Sequence, residues 1–174
     1  MIVKTDHTRL SNLQRNLQHT VKMKIMIIND SKAMRLFLEE TIKSYSDCQI
    51  IGSYFDANHA LHDLDLKKPD VLLLDLEMPN MDGITFLERL DNPEKYPTII
   101  ISNYASDGSK LVNDAMALGA VDSLMPPSSN RGADIKKFKF KLRHKIIKAS
   151  LKSNRYFLFS SKGQPRKSMS VENF

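Results

Sequence analysis

Two aspartates stand at the ends of apolar runs, where side chains can converge to do chemistry. Asp30 ends the segment KIMIIND (24–30), and Asp75 lies near the end of VLLLDL (71–76). If these runs are neighbouring strands, the two carboxylates lie close together and repel each other unless one is protonated or a cation lies between them. Mg²⁺ prefers oxygen ligands and keeps several waters, so this pair indicates a magnesium site. The alternative is that each aspartate only caps the loop or helix that follows it.

Short apolar runs alternate with amphipathic segments along most of the chain. Apolar runs indicate strands, whereas apolar residues at intervals of three and four indicate helices. The pattern predicts five pairs of strand and helix: 24–30 with 31–45, 49–54 with 56–68, 71–76 with 83–90, 98–102 with 106–119, and 120–125 with a basic helix over 134–151. Within that last helix, KFKFKL (137–142) also alternates with period two, so a strand is an alternative there.

The predicted strands are apolar along their whole length, which is typical of a parallel sheet covered by helices on both faces. We therefore expect an α/β sandwich, in which ligands bind beyond the carboxyl ends of the strands. The residues at those ends are the candidate functional residues: Asn29, Asp30, Asp75, Glu77, Ser102, Asn103, Met125 and Pro126.

The formal net charge of +6 is distributed unevenly along the chain. Residues 1–127 contain 13 basic and 18 acidic residues, whereas residues 128–174 contain 13 basic and two acidic residues. Such a basic end could neutralise nucleic-acid phosphates. The residues after Leu151 are too few to build a helix-turn-helix, however, and we expect no nucleic-acid binding.

The distribution of apolar residues and cysteine indicates a cellular location. No apolar run approaches the ~18 residues of a membrane span, and the first 20 residues lack the apolar centre of a signal peptide. The single cysteine, Cys48, suits a reducing compartment. We therefore expect a cytoplasmic protein without a membrane span.

Several segments carry a family resemblance. DVLLLDLEMPNMDGITFLERL (70–90) resembles the phosphoacceptor segment of response-regulator receiver domains. IMIINDSKAMRLFLEE (25–40) resembles the family's first strand, acid pair and helix, PTIIIS (97–102) its fourth strand, and ALGAVD (117–122) the start of its fifth. Within the family, the chain is most similar to the N-terminal regulatory domain of the chemotaxis protein-glutamate methylesterase. The resemblance covers about residues 22–128 and implies a flavodoxin-like, doubly wound sheet with strand order 2-1-3-4-5.

The resemblance also implies roles for the residues at the strand ends. Asp75 would accept a phosphoryl group from a histidine kinase of the chemotaxis type. Mg²⁺ or Mn²⁺ would be held by Asp30, Asp75 and the backbone carbonyl of Glu77, with Asn29 acting through a bound water. Ser102 matches the hydroxyl that in the family bonds, and so senses, the phosphoryl group.

Three positions depart from the family pattern. The family's first strand usually ends in two acids, but here Asn29 precedes Asp30, so one charge is missing and cation affinity should fall. Ser123 stands where an aromatic switch is common, and Pro126 replaces the lysine whose ammonium contacts the phosphoryl group. Lys32, at the start of the first helix, is the nearby candidate for a compensating cation. The alternative is that Lys32 is a solvated lysine on the helix surface.

The sequence leaves two functions open, a phosphoaccepting signalling switch and a degenerate receiver that binds a partner without phosphorylation. The serine nucleophile and glycine-rich surroundings of a methylesterase catalytic domain are absent, so we expect no ester hydrolysis by this chain. The chain could be a fragment of such an enzyme or a separate receiver, and a methylesterase domain or another downstream protein is a candidate partner. We expect an extension over 1–21, a receiver domain over 22–151 and a basic linker or tail over 152–174.

Overall fold

Five strands and five α-helices alternate along the chain in a computed structural model, which describes residues 22–105, 109–129 and 131–160. The predicted extension over 1–21 and most of the predicted tail lie outside these residues. The elements are β1 (Met23–Ile28), α1 (Lys32–Lys43), β2 (Cys48–Tyr54), α2 (Ala57–Lys67), β3 (Val71–Leu74), α3 (Gly83–Glu88), a 3₁₀ turn (Pro93–Lys95), β4 (Thr98–Ile101), α4 (Lys110–Ala117), β5 (Asp122–Leu124) and α5 (Gly132–Ser160).

The five strands form one parallel sheet in the order β2-β1-β3-β4-β5. This confirms the predicted flavodoxin-like topology. The strand order reverses between β1 and β3, and such a reversal opens a crevice at the carboxyl edge of a sheet. In the register between these two strands, Ile28 pairs with Leu74. The residues that follow this pair, Asn29 and Asp75, therefore lie side by side at the crevice.

Alternate side chains of the strands pack into two separate cores, one on each face of the sheet. Met26 and Ile28 of β1 face a core that also receives buried residues of α2, α3 and α4. Ile25 and Ile27 face the opposite core, which is covered by α1 and α5. The prediction of helices on both faces is confirmed, and the fully apolar strands are explained by burial on both sides.

Helix α5 is longer than its sequence pattern predicts. It runs from Gly132 to Ser160, nine residues beyond the predicted end at Leu151, and KFKFKL lies within it as helix. Phe138 and Leu142 are buried whereas Phe140 is exposed. This is the pattern of a helix, in which side chains four residues apart share a face, whereas in a strand side chains two residues apart share a face. The alternative of a strand in this segment is therefore wrong.

Polar contacts hold α5 to the rest of the domain. Lys145 forms an ion pair with Asp122 of β5 at 2.5 Å, and Arg143 pairs with Asp47, before β2, at 2.9 Å. The Tyr45 hydroxyl also donates a hydrogen bond to the carbonyl of Lys139 at 2.6 Å. Helix α5 is thus fixed at both β5 and the turn before β2.

None of the helices in the described part of the chain combines the length and apolar content that crossing a bilayer requires.

Gly83 closes the loop between β3 and α3 against the backbone of Asp75. Its amide donates a hydrogen bond to the carbonyl of Leu76 at 2.9 Å. A Cβ atom at this position would strike the carbonyl oxygen of Asp75 and lie 2.8 Å from the Cα of Leu76. These neighbours are backbone atoms next to a strand, so they cannot move aside as a flexible side chain would.

We predict that Gly83→Ala lowers the free energy of unfolding by about 1–3 kcal/mol, because the added methyl group overpacks the turn beside Asp75. Gly132 is the matched control, since a Cβ atom there would meet nothing within 4 Å. Gly132→Ala should change stability by less than about 0.5 kcal/mol. Urea unfolding of both variants measures the difference, and equal stabilities would contradict the prediction.

Candidate functional site

A cleft of about 250 Å³ opens at the carboxyl ends of the central strands. It is lined by Asn29, Asp30, Ser31, Met34, Asp75, Glu77, Ile101, Ser102, Asn103 and Pro126. All but one of the residues named from the sequence at strand ends are in this lining. The exception is Met125, which is 40% exposed and lines a neighbouring groove between β5 and α5.

Asp75 is at the centre of the cleft, directly after β3. Its backbone amide donates to the carbonyl of Ile28 at 2.9 Å, which continues the ladder between β1 and β3 by one residue. Its carboxylate accepts two hydrogen bonds, one on Oδ1 from the amide of Glu77 at 3.2 Å and one on Oδ2 from Nδ2 of Asn29 at 2.8 Å. The carboxylate is thus held from both sides while the cleft leaves it accessible.

Burial raises the pKa of the Asp75 carboxyl to about 6. The negative charges of Asp30 and Glu77 add to this rise in pKa, and hydrogen bonds from the amides of Glu77 and Leu76 oppose it. The carboxylate is costly to ionise because it lies away from water and beside two other acids. A nearby cation would stabilise its ionised form.

Asn29 is almost fully buried, with 3% of its surface exposed, and its amide has a defined orientation. The backbone amide of Ser31 donates to its Oδ1 at 2.9 Å. A backbone N–H can only donate, so the oxygen of Asn29 faces Ser31 and its NH₂ group faces Asp75. The residue that departs from the family's acid pair therefore contacts the predicted phosphoacceptor directly.

Arg35 is a site residue that the sequence reasoning missed. Its Nη1 atom donates to the carbonyls of Asn29 and Asp30, at 2.8 and 2.9 Å. It lies in the first turn of α1, after the N-cap Ser31. A basic residue is unfavourable beside the positive end of a helix dipole. Its presence in the first turn of a predicted helix is the feature of the sequence that could have indicated a partner outside the helix.

Ser102 and Pro126 approach the cleft from β4 and from the segment after β5. Ser102 is 3% exposed, and its hydroxyl oxygen accepts a hydrogen bond from the amide of Tyr104 at 3.2 Å. Pro126 is buried and lines both the cleft and the neighbouring groove. The position expected for the family's lysine therefore lies at the cleft, where proline supplies neither a charge nor a hydrogen-bond donor.

Two further residues singled out from the sequence lie outside the cleft lining. Lys32 is exposed and is the first residue of α1. Ser123 lies in β5 and lines the neighbouring groove. The role of Lys32 as a compensating cation stays a prediction.

The donor atoms at the cleft fit a hard divalent cation. Asp30, Asp75 and Glu77 present oxygen atoms, which Mg²⁺ and Mn²⁺ accept as ligands. Among the described residues, no group of three His, Cys, Asp or Glu side chains could hold a metal ion. A cation here would thus bind few side chains and complete its shell with a backbone carbonyl and water, as Mg²⁺ commonly does.

We predict that ionisation of Asp75 weakens the folded state in metal-free buffer. Its pKa is raised to about 6 in the folded protein from 3.8, so the folded state binds this proton more tightly than the unfolded state. The resulting stabilisation is complete below about pH 4 and is lost as the pH rises through about 6, by up to about 3 kcal/mol. Urea unfolding in chelator from pH 4 to 7 measures it as the difference between the native chain and Asp75→Asn. A difference that does not vary with pH would contradict the prediction.

Comparison with known proteins agrees with this geometry. The family model of the response regulator receiver domain matches residues 25–132. The protein-glutamate methylesterase/protein-glutamine glutaminase 2 of Syntrophus aciditrophicus is 39% identical over 109 residues, which cover 63% of this chain and 32% of that protein. The corresponding protein of Methylobacillus flagellatus is 38% identical over 128 residues, covering 74% and 36%. The match thus spans about a third of the length of these relatives.

Solved structures give the same assignment. The response regulator domain of Thermotoga maritima CheB is 28% identical with a TM-score of 0.67, covering 74% of this chain and 96% of that one. A structure of the P1 domain of CheA3 in complex with CheY6 from R. sphaeroides also matches, at 28% identity and a TM-score of 0.60, covering 72% of this chain and 95% of that one. With the strand order, the cleft and the matched segment all in agreement, the chain belongs to the response-regulator receiver domain family and is similar to the receiver part of CheB-type methylesterases.

Proposed function

We propose that this domain is a phosphoacceptor of a two-component, chemotaxis-type signalling system, phosphorylated on Asp75 with Mg²⁺ as cofactor. The observation that carries this proposal is the position of the Asp75 carboxylate. It is held at the end of β3 in an accessible cleft and is flanked by Asp30, Glu77 and the buried hydroxyl of Ser102.

The residues of the cleft suit in-line phosphoryl transfer. An Asp75 carboxylate oxygen attacks the phosphorus of a phosphohistidine, a P–O bond forms, and the P–N bond breaks with its electron pair returning to the imidazole. Such a reaction needs positioning and charge neutralisation more than covalent help. Asp30, Asp75 and the carbonyl of Glu77 would hold Mg²⁺, with Asn29 acting through water, and the bound ion would supply positive charge to offset the charge of the phosphoryl group.

Ser102 is placed to respond to the modification. Its hydroxyl accepts one hydrogen bond, from Tyr104, and none of the described residues accepts a hydrogen bond from its own proton. A phosphoryl oxygen in the cleft would be such an acceptor. The resulting hydrogen bond would link the state of Asp75 to β4 and to the segment that follows it.

The surroundings of Asp75 also support a second candidate function, that of an interaction module with one fixed conformation. Pro126 is buried at the cleft where the family has a lysine, and Asn29 already satisfies one oxygen of Asp75. Loss of one charge or donor aimed at a transition state typically costs ~100 to 1,000-fold in rate. Slow phosphorylation fits the first proposal, and no phosphorylation by any donor would favour the second.

The proposed partners follow from the relatives. A histidine kinase is the donor that the first proposal requires, and the CheA3–CheY6 complex is an example among similar structures. The similar methylesterases are about three times longer than the matched segment, so a methylesterase domain or another downstream protein is a further candidate partner. Such partners would place the domain in the cytoplasm.

We expect incubation with Mg²⁺ and acetyl phosphate, or with a phosphorylated chemotaxis kinase, to add about 80 Da to the protein, the mass of HPO₃. The adduct should be absent from Asp75→Asn, because an amide oxygen is a poor nucleophile, and present in Asp70→Asn, which alters a carboxylate outside the cleft. Intact-mass spectrometry checks both variants. An unmodified native chain with both donors would overturn phosphorylation and favour the interaction module.

A second prediction concerns Pro126. Replacement by lysine should restore a cation at the cleft and raise the rate of phosphorylation by acetyl phosphate by up to about 100-fold. Pro127→Lys is the matched control, because the adjacent proline lines only the groove on the other side. Equal rates in the two variants would show that a cation at position 126 does not reach the phosphoryl group, and unfolding curves of both variants exclude a loss of structure.

A further inference from the structure

Asn29 contacts three neighbouring residues, two through its buried side chain and one through its backbone. Nδ2 donates to Oδ2 of Asp75 at 2.8 Å, Oδ1 accepts from the backbone amide of the N-cap residue Ser31 at 2.9 Å, and the backbone carbonyl accepts from Nη1 of Arg35 at 2.8 Å. Both ends of the amide are therefore engaged, and its orientation is fixed by the contact with Ser31. The side chain has no freedom to turn its oxygen toward Asp75.

The amide of Asn29 attracts the carboxylate of Asp75, whereas a second carboxylate at position 29 would repel it. An aspartate in place of Asn29 would keep one oxygen on the amide of Ser31 and point the other at Oδ2 of Asp75. Two carboxylate oxygens at hydrogen-bond distance repel unless a proton or a cation lies between them. The amide donor of Asn29 removes this requirement, because it satisfies Oδ2 without a metal ion.

We propose that Asn29 is a positioning residue that holds the Asp75 carboxylate in place when no cation is bound. The site therefore keeps its arrangement without Mg²⁺, and cation binding stabilises it less than it would stabilise a site with a carboxylate at position 29. Asn29 thus sets how strongly the stability of the site depends on the cation: an amide makes the dependence weaker, and a carboxylate makes it stronger. This inference rests on the proposed function only in naming Mg²⁺ as the cation.

Asn29→Asp tests this directly, with Asn103→Asp as the matched control. Asn103 lines the same cleft and is exposed, and no side-chain hydrogen bond links it to Asp75, so the control adds the same charge without breaking the contact. Thermal unfolding is recorded for both variants and the native chain, in chelator and in excess MgCl₂. Isothermal titration calorimetry with MgCl₂ gives the affinities.

In chelator, Asn29→Asp should unfold at a clearly lower temperature than both the native chain and Asn103→Asp, and MgCl₂ should restore most of the loss. Its affinity for Mg²⁺ should exceed that of the native chain by about 10-fold or more, because charge count sets the affinity of such sites. Asn103→Asp should show a smaller gain in affinity and no loss in chelator. Equal behaviour of the two variants, or no effect of Mg²⁺ on Asn29→Asp, would overturn the proposal.

Asn29→Ala keeps the proposal testable if Asn29→Asp does not fold. This variant removes the donor without adding charge, so Mg²⁺ should raise its unfolding temperature more than it raises that of the native chain. An equal rise would overturn the proposal. None of these measurements uses a phosphodonor, so failure of phosphorylation leaves their outcome unaffected.

Discussion

The alignment of β1 with β3 is the constraint on which the site depends. Because Ile28 pairs with Leu74, the next residues of the two strands meet at the crevice, and the hydrogen bond between Asn29 and Asp75 follows from this register. A shift by one residue would turn the side chain of Asp75 to the other face of the sheet. The two cores prevent this, because Ile25 and Ile27 fit one face of the sheet whereas Met26 and Ile28 fit the other.

The architecture could be predicted because burial on both faces leaves a strong pattern of apolar residues in the sequence. That pattern predicts all five strands, and strand-end positions predict most of the cleft lining, including Asp30, Asp75 and Ser102. The strand order itself came from the family resemblance, since periodicity does not specify which strands are neighbours. The predicted ends of helices and strands were less accurate where the pattern of apolar residues does not mark them, as at the end of α5.

What could not be predicted from the sequence depends on side-chain direction. Position alone indicates that Asn29 lies near Asp75, but only the contact with Ser31 shows that its amide donates rather than accepts. The sequence places Arg35 in a predicted amphipathic helix, but its bonds to two loop carbonyls depend on the path of the chain between β1 and α1. Pro126 was identified as a departure from the family, whereas its burial at the cleft depends on the packing of β5.

Helix α5 continues well beyond the ion pairs that hold it to the sheet. Among the side chains that the structure describes, those of α5 are buried as far as Ser153, and the helical backbone continues to Ser160, about 10 Å further at 1.5 Å per residue. The ion pairs with Asp122 and Asp47 fix its near part to β5 and to the turn before β2. A tilt of about 10° around these contacts would move its far end, some 20 Å away, by about 3 Å. Small rearrangements at the sheet would thus be enlarged at the end of this helix.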